Sequence, residues 1–271
     1  MLRDITLGQY YQTESVLHRM DPRVKLAGTL IYMISLFLYK NLTAYILAFL
    51  FLLSVIKISK VPFKYMVKGL KTVMVLLFIT SIFNIFYTKG EPLFTIWKFV
   101  ITKEGVANAV YIMIRLSFLI IGSSLMTLTT TPNQLTDGLE KLLGPLKKIK
   151  VPVHEVSMMM SIALRFIPIL MEETDKIMKA QMARGANFES KKLMEKIKAM
   201  VPLLVPLFIS AFRRANDLAM AMEARCYQGG EGRTRMKPLV YKKIDYVAYG
   251  VLIIYVASVI ICGRLIPIHL L

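Results

Sequence analysis

The chain has 271 residues, 56% of them hydrophobic, with a mean hydropathy of +0.55 and a formal net charge of +18. Its apolar residues gather in runs of membrane-spanning length, which excludes an ordinary soluble domain and points to an integral membrane protein. The positive excess then belongs in loops and on polar helix faces beside an anionic leaflet; without a zinc-finger, RNP or basic-zipper pattern it does not point to nucleic acid.

Residues 1–23 read as a polar cytoplasmic arm without the apolar core of a cleavable signal peptide. Asp21-Pro22 closes the arm as an N-cap followed by proline at the first helical position. Residues 24–130 hold four expected transmembrane helices. The first two, 24–39 and 42–56, meet at Lys40-Asn41 and are short for a bilayer core of about 30 Å. A basic loop with Lys57, Lys60, Lys64, Lys68 and Lys71 leads to a third span over 70–87. A loop from Thr88 to Glu104, with Gly90 and Pro92, precedes the fourth span at 106–128, and Thr129-Thr130-Thr131-Pro132 stops that span and caps the next helix.

From 131 to 243 charges interrupt the apolar residues every few positions, the pattern of an inserted cytoplasmic module of long amphipathic helices. The spacing predicts a helix over 133–146 with Leu135, Leu139, Leu142, Leu143 and Leu146 on one face, closed by Lys147, Lys148 and Lys150. A second runs from near Pro152 to Ala183 with Pro168 as a bend, and a third from near Ser190 to Arg225 with Pro202 and Pro206 inside it. Residues 244–263 form a last span and 264–271 a short external tail. The expected fold is all-α and polytopic, with about five transmembrane helices. Segment 129–243 carries twenty lysines and arginines, so the positive-inside rule places it, the arm and the lysine loop in the cytoplasm.

Within the module the chain says the same thing twice. At an offset of forty-one residues Ala183-Arg184-Gly185 meets Ala224-Arg225-Cys226, and both copies end a long helix. Arg184 and Arg225 are then two cationic tips for two similar sockets; the plainer reading is a cation complementing each helix dipole. Arginine suits a socket because its fork of donors holds a carboxylate at two points. Arg115, inside the fourth span, is expected to be functional or paired within the bundle. Arg165 is expected to anchor packing between helices. The methionines Met158-Met159-Met160, Met171, Met178, Met182, Met194, Met200, Met220 and Met222 suit a surface that repacks against partners, or a helix–helix core.

No catalytic set emerges. His18, His154 and His269 are far apart, and no H-E-x-x-H, G-x-S-x-G or P-loop pattern occurs. Cys226 and Cys262 form no metal or redox motif. The chain reads as a non-enzyme without metal or cofactor, whose energy would come from a partner.

Three motifs in order resemble one family. Gly8-Gln9-Tyr10 with Ser15-Val16-Leu17-His18-Arg19-Met20-Asp21-Pro22-Arg23-Val24-Lys25-Leu26 is similar to the amino-terminal signature of the transmembrane T component of energy-coupling factor transporters. Ala163-Leu164-Arg165-Phe166-Ile167-Pro168 with Ala180-Gln181-Met182-Ala183-Arg184-Gly185 resembles that family's coupling region. Glu223-Ala224-Arg225 with Tyr227-Gln228-Gly229-Gly230 and Arg233-Thr234-Arg235 resembles its second motif, with Cys226 where the family often has glycine. The resemblance implies a prokaryotic plasma-membrane scaffold in a vitamin or metal-ion importer. Two ABC-type ATPases would bind the Ala-Arg motifs of the coupling helices, and a membrane-embedded substrate-binding S component would pack on the transmembrane and coupling helices. The alternatives are a self-sufficient secondary carrier or other permease, which would want inverted halves, and a membrane-anchored enzyme.

Overall fold

The structure is a computed structural model that describes residues 10–38, 41–88, 90, 92–96, 99–188, 192–229 and 238–265. Gly8-Gln9, Lys40, Lys89, Glu91, Lys98, Ser190, Lys191, Gly230, Arg233-Thr234-Arg235, Lys237 and the tail beyond Leu265 with His269 lie outside the described residues. The elements run α1 (Val16–Arg19), α2 (Pro22–Leu38), α3 (Leu42–Ser59), α4 (Phe63–Tyr87), β1 (Pro92–Ile96), β2 (Phe99–Thr102), α5 (Lys103–Thr129), α6 (Pro132–Leu142), a 3-10 turn (Gly144–Ile149), α7 (Val153–Ala183), α8 (Leu193–Ala224) and α9 (Lys243–Leu265). This is the all-α polytopic architecture expected. The chain divides into two compact units, one from Gly8 to Lys141 together with Leu239 onward, the other Leu142–Pro238.

In the first unit the helix starts follow local signals. Asp21 caps α2, its Oδ1 accepting the Arg23 N–H at 2.9 Å with Pro22 between them. Thr131 and Gln134 form a reciprocal capping box at the start of α6. The core gathers Tyr32, Leu36, Ala44, Tyr45, Ala48, Leu52, Tyr111, Tyr255 and Val259 from α2, α3, α5 and α9. Small residues set the helix spacing: a Cβ on Gly28 would lie 2.9 Å from Leu252 Cδ1, and one on Gly122 would lie 2.9 Å from Tyr32 Cε1. Outward on the same helices point Leu30, Ile34, Phe37, Leu50, Leu53, Ile253 and Ile254, all exposed. Such a surface is costly in water and natural in a bilayer.

Among the described residues four helices are long and apolar enough to cross a membrane, α3, α5, α7 and α9, or five if the two limbs of α4 count as one span. Those limbs, Phe63–Lys71 and Val73–Tyr87, meet at 56°. The expected first span, α2, has 17 described residues, roughly 26 Å, and residues 39 and 40 after it lie outside the described ones. α7 qualifies because residues 153–170 carry just two charged side chains, Glu155 and Arg165, and charges return after that.

Three local expectations are corrected. The stretch between Thr88 and Glu104 is not a plain loop: β1 and β2 pair antiparallel, Ile96 opposite Phe99 and Thr95 opposite Val100. Their Phe, Ile, Val and Thr content suits a strand, and Thr102 then caps α5 by accepting the Gly105 N–H. The five-lysine loop shrinks to Lys60-Val61-Pro62, because α3 and α4 extend over Lys57, Lys64 and Lys71. The helix predicted over 133–146 ends at Leu142, and its buried residues are Thr136 and Gly138, not the leucines. Gly138 lies against Pro22 and Leu26, where an added Cβ would come within 3.1 Å of each.

Candidate coupling site

The forty-one-residue repeat of the second unit extends to individual hydrogen bonds. α7 ends at Ala183 and α8 at Ala224, so Arg184 and Arg225 are each the C-cap, one position beyond the last helical residue. In the first copy the Gly185 N–H donates to the Met182 carbonyl at 2.9 Å and the Ala186 N–H to Gln181 at 3.0 Å. In the second the Cys226 N–H donates to Glu223 at 2.8 Å and the Tyr227 N–H to Met222 at 3.1 Å. Both are Schellman caps, closed by a left-handed residue that satisfies two orphan carbonyls. Gly185 takes that role at φ 91° and Cys226 at φ 55°. A side chain costs of order 1 kcal/mol in that conformation. The cap therefore forms at Cys226 in spite of its residue.

α7 and α8 run in opposite directions. Gln181 Nε2 donates to the Pro202 carbonyl at 3.4 Å, while Arg214 Nη2 donates to Glu173 Oε2 at 3.3 Å, so ascending one helix means descending the other. The end of α8 thus comes alongside the early turns of α7. There Arg225, Cys226, Tyr227 and Gln228 line a depression of about 600 Å³ together with Met158, Ile162 and Arg165. From Ile162–Arg165 to Arg184 is about 20 residues of helix, which puts the two tips about 30 Å apart.

Arg184 and Arg225 are exposed, and their side chains have neither an ion-pair nor a hydrogen-bond partner among the described residues. Arg165, expected to anchor packing, is exposed and without such a partner too. It faces the same depression as Arg225, because α7 and α8 are antiparallel and their levels at 165 and 225 coincide. Six methionines of this unit are exposed (Met159, Met160, Met182, Met194, Met200 and Met220), so for these a packed helix–helix core does not apply.

Comparison with known proteins agrees with these landmarks. The family described as "Cobalt transport protein" (CbiQ) matches residues 13–236, from the amino-terminal arm past the second arginine tip. The energy-coupling factor transporter transmembrane protein EcfT of Clostridium kluyveri is 57% identical over 251 residues, 92% of this chain and 93% of that protein. The EcfT proteins of Ruminiclostridium cellulolyticum and Bacillus subtilis are 51% and 49% identical over 262 and 246 residues, covering 96% and 90% of this chain and 98% and 93% of theirs. The chain belongs to this family.

The amino-terminal arm has a structural task in this chain. Tyr11 N–H donates to the Leu128 carbonyl at 2.9 Å, and His18 Nε2 meets the Tyr11 carbonyl at 3.0 Å. His18 Nδ1 lies 2.6 Å from Ser15 Oγ, so the neutral Nε2–H tautomer satisfies both ring nitrogens. Burial holds the His18 pKa below its ordinary value, with the nearby Lys25 charge acting in the same direction. Lys25 Nζ donates to the Thr129 carbonyl at 2.8 Å, joining α2 to the end of α5.

Asp21 is received from the far end of the chain. Its N–H donates to Asp245 Oδ1 at 2.8 Å, and Asp245 Oδ2 accepts the Lys242 N–H at 2.7 Å. One carboxylate thus serves the caps of both α2 and α9, and it is 1% exposed. Burial alone would raise the Asp21 pKa, but two side-chain bonds from Arg23 outweigh it and hold the carboxyl below its ordinary range. Arg23 in turn donates to the Leu239 carbonyl and lies 3.8 Å over the Tyr241 ring. Sequence reading missed Asp245, although an acid at the third helical position is a capping-box signal. Arg115 Nε donates to the Tyr45 hydroxyl at 2.9 Å, with the Phe37 ring 5.0 Å away.

Proposed function

We propose that this protein is the transmembrane scaffold and coupling subunit of an energy-coupling factor importer. It links two ABC-type ATPases to a membrane-embedded S component for ATP-driven uptake of a vitamin or other micronutrient. The carrying observation is the pair of identically capped, unpartnered arginines at opposite ends of α7 and α8, about 30 Å apart. One polypeptide bearing two such tips suits two similar sockets on two separate subunits. The exposed apolar face of α8, with Val201, Leu204, Phe208 and Phe212, supports docking of a further apolar partner.

In this reading Ala183, Arg184 and Gly185 enter one ATPase and Ala224, Arg225 and Cys226 the other. The arm and the α7–α8 unit lie in the cytoplasm of a prokaryotic cell, and the chain itself hydrolyses nothing. Replacing Arg184 and Arg225 together by Glu is expected to abolish co-purification of the ATPases while membrane insertion stays normal. Undiminished ATPase recovery with the double variant would refute the reading. Transport by the chain alone in liposomes would favour a secondary carrier.

A further inference from the structure

The two tips share their caps but not their surroundings. At the first, a Cβ added to Gly185 would meet nothing within 4 Å among the described residues. At the second, Arg225 shares its depression with a second exposed guanidinium, Arg165 of α7. The lining is part polar, with Tyr227 and Gln228, and part apolar, with Met158, Ile162, Leu218 and Met222. Two like charges held beside one depression, neither with an acid of its own chain among the described residues, repel each other until an anion arrives.

We propose that Arg165 is a second binding cation at the Arg225 tip, and that this tip receives a segment of one ATPase carrying two carboxylates around an apolar side chain. The inference rests on the coupling reading above and adds a residue and a partner chemistry to it. Arginine forks match carboxylates at two points, and the thioether and aliphatic part of the lining covers the apolar residue between them. A lone phosphate would leave that part open to water. The two sockets therefore differ: the one at Arg225 must supply acid for two guanidiniums.

The test measures the affinity of the ATPase pair for the detergent-solubilised full chain and its variants. Arg165→Ala is expected to weaken binding about threefold to fivefold, the scale of one partly exposed charge pair. Combined with Arg225→Ala, its effect should be smaller than the product of the two single effects, because both contact one segment. Combined with Arg184→Ala, the effects should multiply. Arg165→Gln replaces the alanine variant should that one fail to fold.

Binding within twofold of the unmodified chain, or full multiplication with Arg225→Ala, would overturn the proposal while leaving the coupling reading standing. A loss seen in anionic-lipid nanodiscs but absent from zwitterionic ones would assign Arg165 to anionic lipid headgroups and also overturn it. ATPase binding retained by the Arg184→Glu, Arg225→Glu double variant would overturn the reading and the proposal together.

Discussion

The two units differ in how they hold particular charges. In the first unit a set of them is taken up internally: Asp21 with Arg23, Asp245 on two backbone N–H groups, Lys25 on the Thr129 carbonyl, Arg115 on Tyr45. In the α7–α8 unit Arg165, Arg184 and Arg225 stand without a partner among the described residues. A charge that is buried and satisfied defines a fold, whereas a charge left exposed and unsatisfied at a shaped surface is available to another molecule. The contrast separates the arginines that hold this protein together from those proposed to hold it to others.

The contrast breaks first at Asp245. Removing its carboxylate by Asp245→Ala leaves the Asp21 and Lys242 N–H groups without their acceptor. The expected cost is about 2–4 kcal/mol, since each buried unsatisfied group costs about 1–3 kcal/mol. Thermal unfolding in detergent should show a drop of several degrees, whereas the Arg184→Glu, Arg225→Glu variant should unfold like the unmodified chain. Equal melting of Asp245→Ala and the unmodified protein would remove the distinction drawn between the units.

A smaller effect is expected at Arg115. Arg115→Leu deletes one hydrogen bond to Tyr45, whose hydroxyl keeps the Leu36 carbonyl at 3.5 Å, so the loss should be about 1 kcal/mol. The same melting assay decides it, and a more stable variant would show that the cation is retained for another purpose. The smallest effects sharpen the comparison between the two caps. Gly185→Ala should destabilise by about 1 kcal/mol, while Cys226→Gly should stabilise by several tenths. Changes of the same sign at both positions would mean that the caps are not equivalent.

Much of the architecture was legible in the chain because its signals are local. Span-length apolar runs, the Asp21-Pro22 cap, the Thr131 capping box and the Ala-Arg repeat each depend on residues within one or two helical turns. The β1–β2 hairpin was missed although its residues favour strands, because one short apolar stretch between two spans carries no period long enough to read. The first half of α7 carries two charges in eighteen residues, so hydropathy alone does not separate it from the spans, whereas charges return every few residues after Leu170.

By itself the sequence determined the class of the protein, the caps at Asp21 and Thr131, and the repeated Ala-Arg pair. These follow from side-chain period and capping chemistry, which act over a few residues. The tertiary structure alone decided which distant groups meet: Asp21 with Asp245 across 224 positions, Tyr45 with Arg115 across 70, and Arg165 beside Arg225. Those meetings depend on how helices pack, and packing joins residues that no local pattern relates.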